Sequence, residues 1–220
     1  MSDSKTAAIA NILARQFSVR PKNVLVVGCG SGIEAAILAD SFRARVVGID
    51  IDDSFNPAAK STATLQVADA TAMPFSDGEF DFVYSYHALE HIPDYKKALG
   101  EMRRVLKPGG GWCIGTPNRS RLVGYLGSKD ATFREKLLWN AADWKMRVRG
   151  KFRNEFGAHA GFTADELSAD LASVFGRVVD ITADYYNEIY PRHNGALSLI
   201  RRLRVAPYLM PSVYFAGLMA

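Results

Sequence analysis

Cysteine is scarce in this chain, and long apolar runs are missing. The two cysteines, Cys29 and Cys113, form no Cys-x-x-Cys pair. That excludes a zinc ribbon or a disulfide framework, gives no reason to expect a metal, and makes a reducing, cytoplasmic setting the default expectation. No stretch reaches the roughly 18 consecutive apolar residues of a membrane-spanning helix. The uncharged tail from Val205 to Ala220 comes nearest, and Pro207 and Pro211 interrupt it. The first residues lack the basic-then-apolar pattern of a secretory leader, so none is expected. No Gly-Lys-Ser/Thr follows the glycine-rich turn, which removes a phosphate-cradling loop. The excess of positive charge is small, +4. It is concentrated in Arg119 to Arg153 and in Arg201, Arg202 and Arg204, where it would favour acidic acceptors or an anionic membrane surface.

What is present begins with Val24-Leu25-Val26-Val27-Gly28-Cys29-Gly30-Ser31-Gly32. An apolar run ends in three glycines at alternate positions, and a helical pattern follows. Glycine tolerates a tight strand-to-helix turn and lets a ligand approach the backbone, while the helix start offers N–H groups to it. A dinucleotide fingerprint would carry its third glycine at position 33, which is Ile33 here. Asp50 closes the second apolar run, Arg45 to Ile49, where a carboxylate can accept hydrogen bonds from both hydroxyls of a ribose.

The remaining pattern alternates strand and helix. It predicts an α/β fold with a doubly wound, parallel, three-layer architecture. The expected strands are Asn23–Val27, Arg45–Ile49, Thr64–Val67, Phe80–Tyr84, Trp112–Gly115 and Val178–Ile181, with Ser212–Met219 as an edge strand. Helices are expected over Lys5–Phe17, from a Ser31 cap to about Phe42, over Ala58–Ala63, from Pro93 to Leu106, around Phe133–Trp144, from a Thr163–Glu166 capping box, and over Leu197–Leu203. The chain reads as one domain over 1–220. An N-terminal helix fills 1–20, a cofactor-binding core 21–118, a lid insertion 119–160, and the last part of the sheet 161–220.

Four segments together resemble the class I S-adenosylmethionine-dependent methyltransferases, in particular the small-molecule group called type 11. They are VLVVGCGSG, VVGIDI, VADATAMPFSDGEFDFVYSYHALEHI and LKPGGGWCIGTPN, in that order between Lys22 and Asn118. The resemblance implies a Rossmann-like seven-stranded sheet with the last strand antiparallel and S-adenosyl-L-methionine lying across the strand ends. By position, Gly28, Cys29, Gly30 and Gly32 would line its methionine part. Asp50 would hold the ribose and Ile51 flank the adenine, with Asp69 and Ala70 at the adenine edge. The backbone at Ser85 and Tyr86 would lie near the sulfonium. One departure stands out: Val26 occupies the place where the family usually has an acidic residue.

Methyl transfer needs alignment and exclusion of water, and a hydroxyl acceptor gains from a general base. His87, His91 and His159 are the candidates. His87 follows the fourth strand into the crevice, His91 starts the next helical region beside Glu90, and His159 stands at the return from the lid. Ser85-Tyr86-His87-Ala88 replaces the Asp/Asn-Pro-Pro-Tyr tetrad of base-methylating enzymes, which argues against DNA. No RNA-binding module is visible. The expected acceptor is a small molecule, or a lipid-linked or sugar acceptor, methylated on a hydroxyl oxygen. Trp139 and Trp144 with Arg134, Lys145, Arg147 and Arg149 are candidates to hold it. Peripheral membrane contact and a homodimer are compatible with the tail and the basic lid. Two other readings remain: a methyltransferase-like binding or assembly protein without turnover, and a nicotinamide-dependent oxidoreductase, which Ile33 disfavours.

Overall fold

The fold was obtained as a computed structural model, in which residues 4–17, 20–125, 131–203 and 205–220 are described. Arg204 of the second basic cluster lies outside the described residues, as do the side chains of Phe17 and Arg201. The elements in chain order are α1 (Ser4–Phe17), β1 (Asn23–Val27), α2 (Ile33–Phe42), β2 (Arg45–Asp50), α3 (Pro57–Lys60), β3 (Thr64–Val67) and β4 (Phe80–Tyr86). Then follow α4 (Tyr95–Val105), β5 (Leu106–Pro117), α5 (Phe133–Val148), α6 (Ala164–Phe175) and β6 (Val179–Asp180). The chain closes with α7 (Thr182–Ile189), α8 (Asn194–Arg202), α9 (Ala206–Leu209) and β7 (Ser212–Leu218).

The strands form one seven-stranded sheet in the order β3-β2-β1-β4-β5-β7-β6. β1 to β5 pair in parallel, and β7 runs antiparallel to both β5 and β6. β1 lies in the middle, and the apolar run Val24 to Val27 is buried on both faces, as a central parallel strand requires. Alternation along the strands divides the core in two. Val24, Val26, Phe82 and Tyr84 pack with Ile9, Ile12 and Leu13 of α1, Leu38 of α2 and Tyr185 of α7. Leu25, Val27, Val83 and Ile114 pack on the other face with Leu99 and Met102 of α4 and Leu167 and Leu171 of α6. The result is the expected three layers.

Several local expectations are corrected. Gly32, not Ser31, is the cap residue of α2, and no side chain caps that helix. The turn reaches the helix in a left-handed conformation that only the glycine enters freely, which leaves Ser31 outside it. α4 starts at Tyr95 behind an Asp94 cap rather than at Pro93, because a short 3-10 turn, Leu89–His91, intervenes. α3 begins at Pro57 with Asn56 accepting from Ala58 N–H, and ends before Ala63. β7 is not at an edge: β6, only two residues of ladder, covers its outer side. No helix among the described residues is long and apolar enough to cross a membrane.

Candidate active site

Because β1 to β4 are parallel, their carboxyl ends share one edge, and the chemistry-bearing residues gather there. Two shallow hollows, at Arg45 to Leu65 and at Asp77 to Met219, instead border the amino ends of β2 and β3 and of β4 and β5.

The glycine turn leaves β1 tied to β2. The N–H groups of Gly28 and Cys29 both donate to Ile49 O, at 2.9 and 3.0 Å. The three glycines have different jobs. A Cβ on Gly28 would lie 2.1 Å from the Cβ of Ala88, and one on Gly32 would lie 2.2 Å from Leu65 Cδ1, so those positions allow close packing. A Cβ on Gly30 would meet nothing within 4 Å. Gly30 thus faces the open crevice, where a ligand can lie against the backbone. The Cys29 side chain points away from it and is buried against Gly48, and burial pushes its thiol up to about 12. Only its backbone can serve a ligand.

Asp50 Oδ2 accepts from Gly30 N–H at 2.7 Å and Oδ1 from Asp52 N–H at 3.3 Å. Next to it, Ile51 and Val67 expose 75% and 55% of their surface, an apolar shelf beside a carboxylate. Asp69 Oδ1 accepts from Thr71 N–H at 2.7 Å, and the bonds to Thr71 hold its carboxyl below the usual range. Ala70 packs on the core beneath. An open glycine backbone, a carboxylate and an exposed apolar shelf in a row fit a nucleoside with an amino-acid tail. Ser85 is buried and its hydroxyl donates to Val27 O at 3.0 Å, so its side chain is committed to the sheet. The half-buried Tyr86 ring stacks on Tyr214 and lies 4.1 Å from the His87 ring, centroid to centroid.

Val26 is fully enclosed, and its sheet neighbours are Gly48 and Tyr84. The Tyr84 hydroxyl is buried without a hydrogen-bond partner, and burial and the carboxylate of Glu34 push its pKa well up. Glu34, at the start of α2, acts electrostatically on Tyr84 and Cys29 alike. The sequence pattern did not single it out.

All three candidate histidines meet beyond β4. His87 follows the last residue of β4 with φ 51°, a left-handed conformation rare outside glycine, and its Nε2 lies 3.0 Å from Ser212 Oγ. The His159 ring stands 5.7 Å from that of His87 and 4.7 Å from that of His91. Between them sits Glu90, its side chain wholly buried, with Oε1 3.5 Å from His159 Nε2 and 4.0 Å from His91 Nε2. Burial drives His87 down to about 3, with His159 adding to the effect. It drives His159 down to about 4, with His91 and Arg121 behind it. The same burial raises Glu90 to about 7. His87 is therefore held neutral and far from the near-neutral range expected of a base. Glu90, read from the sequence only as part of a Glu-His pair, is the carboxylate poised near neutrality.

The lid return brings His159 to this place. A Cβ on Gly161 would come within 1.8 Å of Pro117 O, so only glycine lets the segment lie against the end of β5. Arg121, 4% exposed, donates to the carbonyls of His159 and Ala160 and pairs with Asp143 at 3.2 Å. Arg147 lies over the Phe152 ring and donates to the carbonyls of Arg119 and Arg121. It is an internal strut, not an acceptor-binding cation. The Trp144 indole N–H is likewise taken by Leu122 O. Arg134, Lys145 and Arg149 are exposed, and Trp139 is half-exposed on the same helix.

A family model described as "Methyltransferase domain" matches residues 25–114. Tocopherol O-methyltransferase, chloroplastic, from Arabidopsis thaliana is 39% identical over 118 residues, 47% of this chain and 34% of that protein. Ajmaline N-methyltransferase from Rauvolfia serpentina is 36% identical over 99 residues, 41% of this chain and 34% of that protein. The chain thus spans about a third of the length of these curated relatives. Among solved structures, a Haemonchus contortus phosphoethanolamine N-methyltransferase 2, in complex with phosphomonomethylethanolamine and S-adenosylhomocysteine, has a TM-score of 0.58 at 18% identity, over 96% of this chain and 52% of that one. That likeness concerns the fold. Less than half of the chain, residues 25–114, thus matches a methyltransferase domain, and the solved structure shares its fold. The match is to a methyltransferase domain and not to a nicotinamide-dependent oxidoreductase.

Proposed function

We propose that the chain methylates a small apolar, lipid-linked or sugar acceptor on a hydroxyl oxygen. One juxtaposition carries the reading: Gly28 of the cofactor turn packs directly against Ala88, between His87 and Glu90 in the chain. Cofactor loop and polar cluster therefore border the same space. S-adenosylmethionine supplies an activated methyl group when bound. Asp50 and the Gly30 backbone hold its ribose and tail, and Ile51 and Val67 take its base. Glu90 and His159 receive the acceptor hydroxyl, and the carboxylate near neutrality accepts its proton. The relatives named above are called an O-methyltransferase in one case and an N-methyltransferase in the other, so the oxygen rests on the buried carboxylate, which an amine acceptor needs less than a hydroxyl does.

The lid helix α5 contributes the apolar character. Phe133, Leu137, Trp144 and Val148 are exposed on it, with Arg134, Lys145 and Arg149 interspersed. Aromatic and aliphatic side chains among cations suit contact with an anionic lipid surface, which would present a lipid-linked acceptor. A panel of phenolic, sugar and amine acceptors, read by S-adenosylhomocysteine release, tests the reading. Turnover with a hydroxyl acceptor, lost in Glu90→Gln, is expected; turnover with amines alone would overturn it. The alternative without turnover draws on Val26 and expects cofactor binding with no product from any acceptor.

A further inference from the structure

We propose that His87, Glu90 and His159 form a binding site for one divalent transition-metal ion. One possible ligand atom from each of these residues lies within 4.8 Å of the others. The Glu90 Oε1 to His159 Nε2 separation, 3.5 Å, is already close to the spacing of two ligands on one ion, given metal–ligand bonds of about 2.0–2.2 Å. The third ligand needs a shift of about an ångström to close the set.

Three observations point to a cation here. Both carboxylate oxygens of Glu90 are buried and lack a hydrogen-bond partner. A carboxylate removed from water needs a compensating charge. The nearest guanidinium, that of Arg121, is already engaged by Asp143 and by the carbonyls of Asn118, His159 and Ala160. Ser212 Oγ, 3.0 Å from His87 Nε2, orients that ring, as outer partners of metal-bound histidines do. Finally, His87 keeps a left-handed backbone that costs energy, a conformation that persists where function holds it.

Two nitrogens and one oxygen suit a zinc-, manganese- or iron-class ion rather than magnesium or calcium, which prefer oxygen. Three protein ligands leave positions open, and His159 and His91, 41% and 60% exposed in their side chains, line the way in from the crevice. Metal binding stands on these residues alone. A role for the ion in holding the acceptor oxygen rests on the methyl-transfer reading.

The test is a cobalt(II) titration of the full chain after chelator treatment, followed by visible absorption and displaced by zinc. One ion per chain is expected. Affinity should fall at least about tenfold in His159→Ala and in Glu90→Gln, and stay unchanged in His193→Ala, which is outside the three-residue group. Because Glu90 is buried, thermal melting checks its variant, and if that variant does not fold, the half-exposed His159 decides. No saturable absorption, or unchanged affinity in His159→Ala, overturns the site. S-adenosylhomocysteine binding is titrated separately. Cofactor binding without cobalt binding removes the ion and leaves methyl transfer standing. Cobalt binding without cofactor binding supports the ion and removes methyl transfer.

Discussion

The carboxylate of Asp50 accepts the backbone N–H of Gly30, 20 residues earlier in the chain, at 2.7 Å. One side chain thus shapes the glycine turn, and in the proposed function it also takes the ribose. Asp50→Ala removes both roles. Hydrogen bonds to a charged group contribute about 1.5–3 kcal/mol each, so S-adenosylhomocysteine affinity should fall by about tenfold to a hundredfold or more. Calorimetric titration of the folded variant measures it, and unaltered affinity would remove Asp50 from the site.

Gly28 and Ala88 form a second coupled pair. Gly28→Ala places a methyl group 2.1 Å from the Ala88 Cβ and strains a backbone at φ 72°. A loss of about 2–4 kcal/mol in unfolding free energy is expected. Ala88→Gly in the same chain should recover part of it, about 1 kcal/mol of coupling in a double-mutant cycle. Simple additivity in denaturant melts would show that the two residues do not touch.

Val26 and Tyr84 lie side by side on β1 and β4, and the Tyr84 hydroxyl is unpartnered. Tyr84→Phe therefore deletes no hydrogen bond and should change stability by less than about 1 kcal/mol. Glu34, whose charge acts on Tyr84, is the carboxylate to test for the role that Val26 does not fill. Glu34→Gln should weaken S-adenosylhomocysteine binding about tenfold, the scale of one charge-assisted bond. A Glu34→Gln chain that binds as wild type would show that the turn works without a carboxylate there.

The exposed apolar residues of α5 give a membrane prediction. Wild-type chain should co-sediment with vesicles containing anionic phospholipid and not with neutral ones. Phe133→Asp/Leu137→Asp should release it, because burying two such side chains is worth about 3–6 kcal/mol at most. Both residues are exposed, so melting should be unaffected. Equal sedimentation of variant and wild type would assign that face another role.

The glycine turn and the Asp50 carboxylate beside it were legible in the sequence because each closes a strand pattern. A glycine turn after a buried strand and a carboxylate closing the next strand have one way to meet in a parallel sheet. The polar cluster was not. Glu90 becomes a buried, unpartnered carboxylate only when His159 is laid against it, and that depends on Gly161 meeting Pro117 and on Arg121 pinning the lid carbonyls. Basic residues of the lid read alike in sequence. Packing makes Arg121 and Arg147 struts and leaves Arg134 and Arg149 outside. β7 looked like an edge strand because the two-residue β6 that covers it is too short to carry a pattern of its own.

A crystal structure of the chain with S-adenosylhomocysteine tests the central claim most directly. The ribose hydroxyls should lie on the Asp50 carboxylate, the base over Ile51, and the sulfur between the glycine turn and the His87–Glu90 segment. A ribose bound elsewhere, or an empty crevice at saturating ligand, would contradict the account.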